Sequence, residues 1–104
     1  MGFDHENFDC YRLAVSVARW LRRARFPRGD ADLRRQATRA ADSVVLNIAE
    51  GTSRKNDAAK NHFRIALGSA AETCAVLDLM ELPGGQDRQT ELRRIGAMLA
   101  VLSR

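Results

Sequence analysis

Four polar residues fall in helical register between positions 39 and 50 of this chain: Arg39, Ser43, Asn47 and Glu50, spaced i, i+4, i+8 and i+11. At 3.6 residues per turn they form one seam beside an apolar face of Ala40, Ala41, Val44 and Ile48. A catalytic role would make Glu50 a base and Asn47 or Ser43 the group that orients it. No nucleophile–base pair accompanies them, and neither histidine, His5 or His62, belongs to the same helix. The expected role is structural. Ser43 and Asn47 would satisfy polar groups where this helix meets the next, and Glu50 would pair with Arg54 or Arg64. Contact with a ligand or nucleic acid comes second, and catalysis last.

The arginines are the other candidates. Arg12, Arg19 and Arg23 share a stripe of the first helix, with Arg22 beside it, about opposite Val17, Trp20 and Ala24. Arg25 and Arg28 follow in the loop, and Arg34, Arg35 and Arg39 open the second helix. Residues 1–9 carry a charge of −3, residues 10–40 carry +7, and residues 41–104 sum to zero. All of the excess positive charge therefore lies in one third of the chain. Fifteen of the 17 basic residues are arginine, whose planar fork suits phosphate as well as carboxylate. Such a surface would bind nucleic acid by its backbone, largely without regard to sequence. With only 6% aromatic residues, stacking on single-stranded bases is not indicated. The same arginines also fit a solvated face, or salt bridges to another subunit.

Other chemistry finds little support. His5 and His62 match no zinc spacing with Cys10 or Cys74, and no E-x-x-H pair of the di-iron kind occurs. Gly84-Gly85 lacks the lysine and spacing of a phosphate-binding loop. No cofactor is expected. The two cysteines are far apart among apolar helical positions and read as buried free thiols of a reducing compartment. No apolar run approaches the ~20 residues of a membrane span. The polar, acidic start Met-Gly-Phe-Asp-His-Glu argues against a signal peptide. A cytoplasmic protein without membrane contact is expected.

The positioning elements are helices throughout. At 104 residues and 45% hydrophobic content, the chain has room for one domain, residues 1–104. The periodicity predicts a first helix from about Phe8 to Arg25, with Cys10, Leu13, Ala14, Val17, Trp20, Leu21 and Ala24 inward. Phe26-Pro-Arg-Gly-Asp30 breaks it, and Asp30 is placed to cap the second helix. That helix is predicted from about Ala31 to Glu50, where Gly51 would supply the left-handed residue that ends it. Asn56 or Asp57 would cap a third, running to about Glu81 on a stripe of Phe63, Ala66, Leu67, Ala70, Cys74 and Leu77. A fourth spans about Asp87 to Ser103. Short loops favour an all-α, antiparallel up-down-up-down four-helix bundle. Alanines on the second helix, with Gly68, Ala70 and Ala71 on the third, predict that these two helices make the tightest contact. Gly68 is read as a close-packing residue. The third helix has a second apolar stripe of Ile65, Val76, Leu79 and Met80, and Leu46 projects from the polar side of the second. Together these predict a subunit interface.

The segment Arg39-Ala-Ala-Asp-Ser-Val-Val-Leu-Asn-Ile-Ala-Glu-Gly51, followed by Arg54 and Phe63-Arg-Ile-Ala-Leu-Gly-Ser69, carries a resemblance. It resembles the S-x-x-x-N-I-A-E-G signature of proteins encoded by intervening sequences within bacterial 23S ribosomal RNA genes, from about Phe8 to Leu102. On that resemblance Arg39, Ser43, Asn47, Glu50, Gly51, Arg54, Gly68 and Ser69 are signature residues with a structural role. The family implies a four-helix bundle that assembles with copies of itself, as a homopentameric ring. It is similar in architecture to the accessory variability protein of diversity-generating retroelements, which binds nucleic acid and a reverse transcriptase. A non-enzymatic oligomer that binds RNA or DNA through Arg12, Arg19, Arg22, Arg23, Arg25, Arg28, Arg34 and Arg35 is thereby implied. A reverse transcriptase is an implied protein partner. The alternative is an interaction oligomer without nucleic-acid affinity. Family members often have a proline where this chain has Val44-Val45-Leu46, and tend to be longer.

Overall fold

The computed structural model describes residues 2–104. It contains four α-helices: α1 (Asp9–Arg23), α2 (Ala31–Ser53), α3 (Asn56–Leu79) and α4 (Gly85–Leu102). A 3₁₀ turn at Asp4–Asn7 precedes them, and no strand occurs among the described residues. All four helices contribute to one core. The residues α1 buries, Cys10, Ala14, Val17, Ala18 and Leu21, recur every three or four positions, as an amphipathic helix requires. Leu21, Ile48, Ile95 and Leu99 are fully enclosed, each contributing about 1.5–3 kcal/mol through the apolar surface removed from water.

The connections differ in detail from the sequence-based expectation. α1 stops two residues early, because Ala24 is already extended (ψ 142°). Asp30 takes the capping position of α2 with its backbone alone: the Arg34 amide donates to its carbonyl at 2.9 Å, and its side chain makes no capping bond. Between α2 and α3 the chain turns within Arg54 and Lys55, and Asn56 takes a left-handed φ of 57°, which asparagine tolerates better than most residues. No side-chain hydrogen bond caps α3. Gly84, at φ 83°, sets the start of α4 and lies against the Trp20 indole.

α2 and α3 share the largest interface of the fold. Gly51 does not end α2, which continues to Ser53, nor is its φ positive. It is buried, and a Cβ there would lie 2.5 Å from the Phe63 ring of α3. Glycine is required at position 51 because an aromatic ring occupies the space of a side chain. Gly68 is the opposite case: it is exposed, with nothing within 4 Å of where its Cβ would stand, so it mediates no close approach.

The second apolar stripe of α3 does not survive intact. Val76 is 4% exposed and Met80 is also buried, so neither is available to another subunit. α3 packs against both α2 and α4, and burying surface against two neighbours encloses a wider arc than one stripe. Ile65 and Leu79 remain exposed, the latter at 72%. They stand 14 residues apart on one helix, about 21 Å at 1.5 Å per residue, and form no continuous patch. Cys10 is buried as expected, whereas Cys74 is only half-buried; both thiols are free.

The two helical glycines should respond to alanine in opposite directions. Gly51→Ala is expected to destabilise the protein by about 1–3 kcal/mol through collision with Phe63. Gly68→Ala is expected to stabilise it by about 0.5–1 kcal/mol, by relieving the backbone entropy cost of glycine in a helix. Urea unfolding of the two variants measures both, and equal effects would contradict the close approach at Gly51.

Candidate functional site

A groove of about 870 Å³ runs along the solvent side of α2, lined by Ala31, Arg34, Arg35, Thr38, Arg39, Asp42, Ser43, Leu46 and Asn47, with Arg22 from α1. These α2 positions recur every three to four residues, so one helix face presents them all. From Ala31 to Asn47 the face extends about 24 Å. The groove thus brings together residues that the periodicity assigns to two separate features, the arginine cluster and the polar seam. Arg39 belongs with the arginines.

Charge pairing separates those arginines into two kinds. Arg22 donates through both terminal nitrogens to the two carboxylate oxygens of Asp42, each at 2.8 Å. This bidentate fork ties α1 to α2 and neutralises the one carboxylate lining the groove. Arg35 pairs with Asp32 and Arg12 with Asp9, both on exposed surface where such pairs are weak. Arg34 and Arg39 have no acidic partner among the described residues. The Arg34 guanidinium lies 6.0 Å from the centre of the Phe26 ring, close enough for a cation–π contact.

The remaining arginines are dispersed. Arg19 lies in an adjoining hollow of about 450 Å³ with Tyr11, Val15, Ala18, Arg22, Asp42, Val45 and Leu46, continuous with the groove through the residues they share. Arg23 and Arg25 border a separate hollow with Trp20, Leu82 and Pro83. Arg28 is exposed in the loop, and Arg12 sits near the start of α1. Leu46 is not an extension of the α3 stripe: it stands 64% exposed between the groove and the hollow beside it.

Beneath the groove lies a hydrogen-bonded network. The Asn47 amide nitrogen donates to the Ser43 carbonyl at 2.9 Å and to the Ser43 hydroxyl at 3.1 Å. Its carbonyl oxygen faces His62 Nδ1 of α3 at 2.9 Å, which fixes the proton on that nitrogen. The Ser69 and Ser43 hydroxyls meet at 2.8 Å, and Thr73 donates to the Ser69 carbonyl at 2.8 Å. Ser43 and Asn47 are therefore occupied in joining α2 to α3. His62 and Ser69 are partners whose distance from α2 along the chain hid them. At the helix end, Glu50 accepts from Arg54 Nε at 3.3 Å, both side chains being half-exposed. That leaves Glu50 beside a cation, and the Ser53 hydroxyl close by donates to the Glu50 backbone carbonyl at 2.8 Å.

No group of three or more His, Cys, Asp or Glu side chains able to hold a metal occurs among the described residues. Burial pushes the Cys10 thiol above its ordinary pKa, which keeps it protonated and unreactive near neutrality. None of the described helices is long and apolar enough to cross a membrane.

Residues 6–99 match the model of a protein family described as 23S rRNA-intervening sequence protein. Comparison with curated proteins gave no match.

The network and the helix-end pair should differ sharply in their contribution to stability. Asn47→Ala strands the His62 N–H in a half-buried setting and is expected to cost about 1–3 kcal/mol. Glu50→Ala breaks a half-exposed ion pair and is expected to cost less than about 0.5 kcal/mol. Thermal unfolding of both variants would reveal the difference, and a larger loss from Glu50→Ala would contradict the structural role of Asn47.

Proposed function

Because the chain belongs to the 23S rRNA-intervening sequence protein family, matched over residues 6–99, we propose that it is a non-enzymatic protein that binds the phosphate backbone of structured RNA or DNA. The observation that supports this most is the meeting of Arg34 and Arg39, free of acidic partners, in one groove about 24 Å long, with Arg19 beside it. Arg22 and Asp42 cancel within that groove, so its net charge is positive. Arg35 and Arg12 hold exposed carboxylates loosely enough to exchange them for phosphate. Arg23, Arg25 and Arg28 add to the field at longer range.

In this proposal the four helices form an up-down-up-down bundle, and copies assemble into a ring, as the family resemblance implies. Repetition of a basic groove around a ring would raise avidity for a long polyanion without any new kind of contact. Phe3, Leu46, Ile65, Leu79 and Val101 are exposed apolar side chains available for assembly. A protein-interaction role without nucleic-acid affinity is the second reading, and the exposure of Leu46 within the groove favours it.

Fluorescence anisotropy with a structured RNA across a salt series tests the proposal. If about four phosphates are neutralised per site, affinity should fall by about a hundredfold between about 50 and 200 mM salt. Arg34→Glu combined with Arg39→Glu should abolish most of the binding and flatten the salt dependence while leaving the helical content unchanged. Undiminished affinity in that variant would remove the groove from the binding surface, and no binding by the wild type at low salt would refute the proposal.

A further inference from the structure

Phosphate binding makes no use of Leu46, which stands 64% exposed where the α2 groove meets the hollow beside it. A leucine protruding among arginines is an arrangement with which proteins part stacked bases while holding the phosphates around them. Arg39 lies on the same face of α2, about 10 Å along the helix axis from Leu46, and Arg19 lines the hollow itself. The floor beyond Leu46 is apolar, formed by half-buried Tyr11, Val15 and Val45. At about 450 Å³ the hollow has ample room for one base.

Charge around the hollow decides which part of a nucleic acid can enter it. At its Tyr11 end the His5 ring packs at 4.5 Å, and His5 belongs to the 3₁₀ turn that also carries Asp4 and Glu6. A phosphate or an acidic peptide pushed toward Tyr11 would approach those carboxylates, whereas a neutral base escapes the repulsion. The phosphates on either side of that base then lie where Arg19, Arg34 and Arg39 stand, toward the groove. Single-stranded nucleic acid is a poorer match. Among the described residues Phe3 is the one exposed aromatic side chain, so successive bases have no row of rings to stack on. In a fully paired RNA helix the bases are stacked inside and the hollow stays empty.

We propose, building on the phosphate-binding reading, that this face recognises double-stranded RNA at a single unpaired nucleotide. Leu46 enters the interruption in the stack, and the extruded base rests on Tyr11, Val15 and Val45. A bulged base has no pairing partner to lose, so extruding it costs less than opening a pair.

Fluorescence anisotropy on the full chain tests this with RNA hairpins of equal stem length: one fully paired, one with a single-adenosine bulge, and one with an abasic residue in the bulge. The bulged hairpin should bind about tenfold more tightly than the paired one, and the abasic hairpin no more tightly than the paired one. Leu46→Ala should erase the preference and keep the salt dependence, since it removes no charge. Because Leu46 is exposed, alanine there leaves the fold intact. Equal affinity for paired and bulged RNA would overturn this inference and leave phosphate binding standing, as would a preference that survives Leu46→Ala. Abasic RNA that binds as tightly as the bulged hairpin would overturn it too, because backbone flexibility and not a base would then be recognised. If none of the hairpins binds at low salt, the phosphate reading fails and this one with it, and the face belongs to a protein partner.

Discussion

The Phe63 ring lies where a side chain at position 51 would have to be, and this exclusion governs how closely α2 and α3 approach. With glycine at position 51, the aromatic ring of one helix rests against the backbone of the other, and the contact is buried. Ala37, Ala40 and Ala41 of α2 are likewise enclosed. At that separation, hydroxyl and amide groups of the two helices can reach one another directly. The contacts among Asn47, His62, Ser43 and Ser69 are all within 3.1 Å. Had the helices been held apart by larger side chains, these polar groups would have been stranded at a half-buried interface, at a cost comparable to a lost hydrogen bond each.

The close α2–α3 contact also decides what α2 presents outward. A helix locked to its neighbour by packing on one face and by a polar network along the seam cannot rotate about its own axis. Its remaining face, from Ala31 to Asn47, is thereby fixed as the groove. The fork between Arg22 and Asp42 fixes the second wall by joining α1 to α2, and it neutralises the one carboxylate that would repel an anion. The network and the groove therefore share residues without sharing a role. Ser43 and Asn47 line the groove while their hydrogen-bonding capacity is directed into the protein.

The exposed apolar residues follow a different logic. Val76 and Met80 are drawn into the core because α3 has neighbours on two sides, α2 and α4. The exposed large apolar side chains, Phe3, Leu46, Ile65, Leu79 and Val101, are scattered, and Leu46 stands where the basic rim and the apolar floor of the α2 groove coincide. That coincidence sets the α2 groove apart from the α3 stripe.

Helix number, helix type and most inward-facing positions were legible in the residues, because apolar spacing of three and four is a local property that any surroundings must respect. The family signature was legible for the same reason: Ser43, Asn47, Glu50 and Gly51 stand at fixed intervals in one segment. Their purposes were less so. Gly51 reads locally as a helix stop, and only the ring of Phe63, 12 residues on, reveals it as a clearance. Gly68 reads as a close-packing residue, yet faces open space. Arg22 and Asp42, 20 residues apart, carry no local sign of their pairing, nor does His62 of its bond to Asn47. The order of residues alone dictates which faces of each helix are apolar and where positive charge resides along the chain. Which arginines stay free, which glycine is crowded and which apolar residues remain outside is settled by packing, because each depends on how many neighbours a helix has and how near they come.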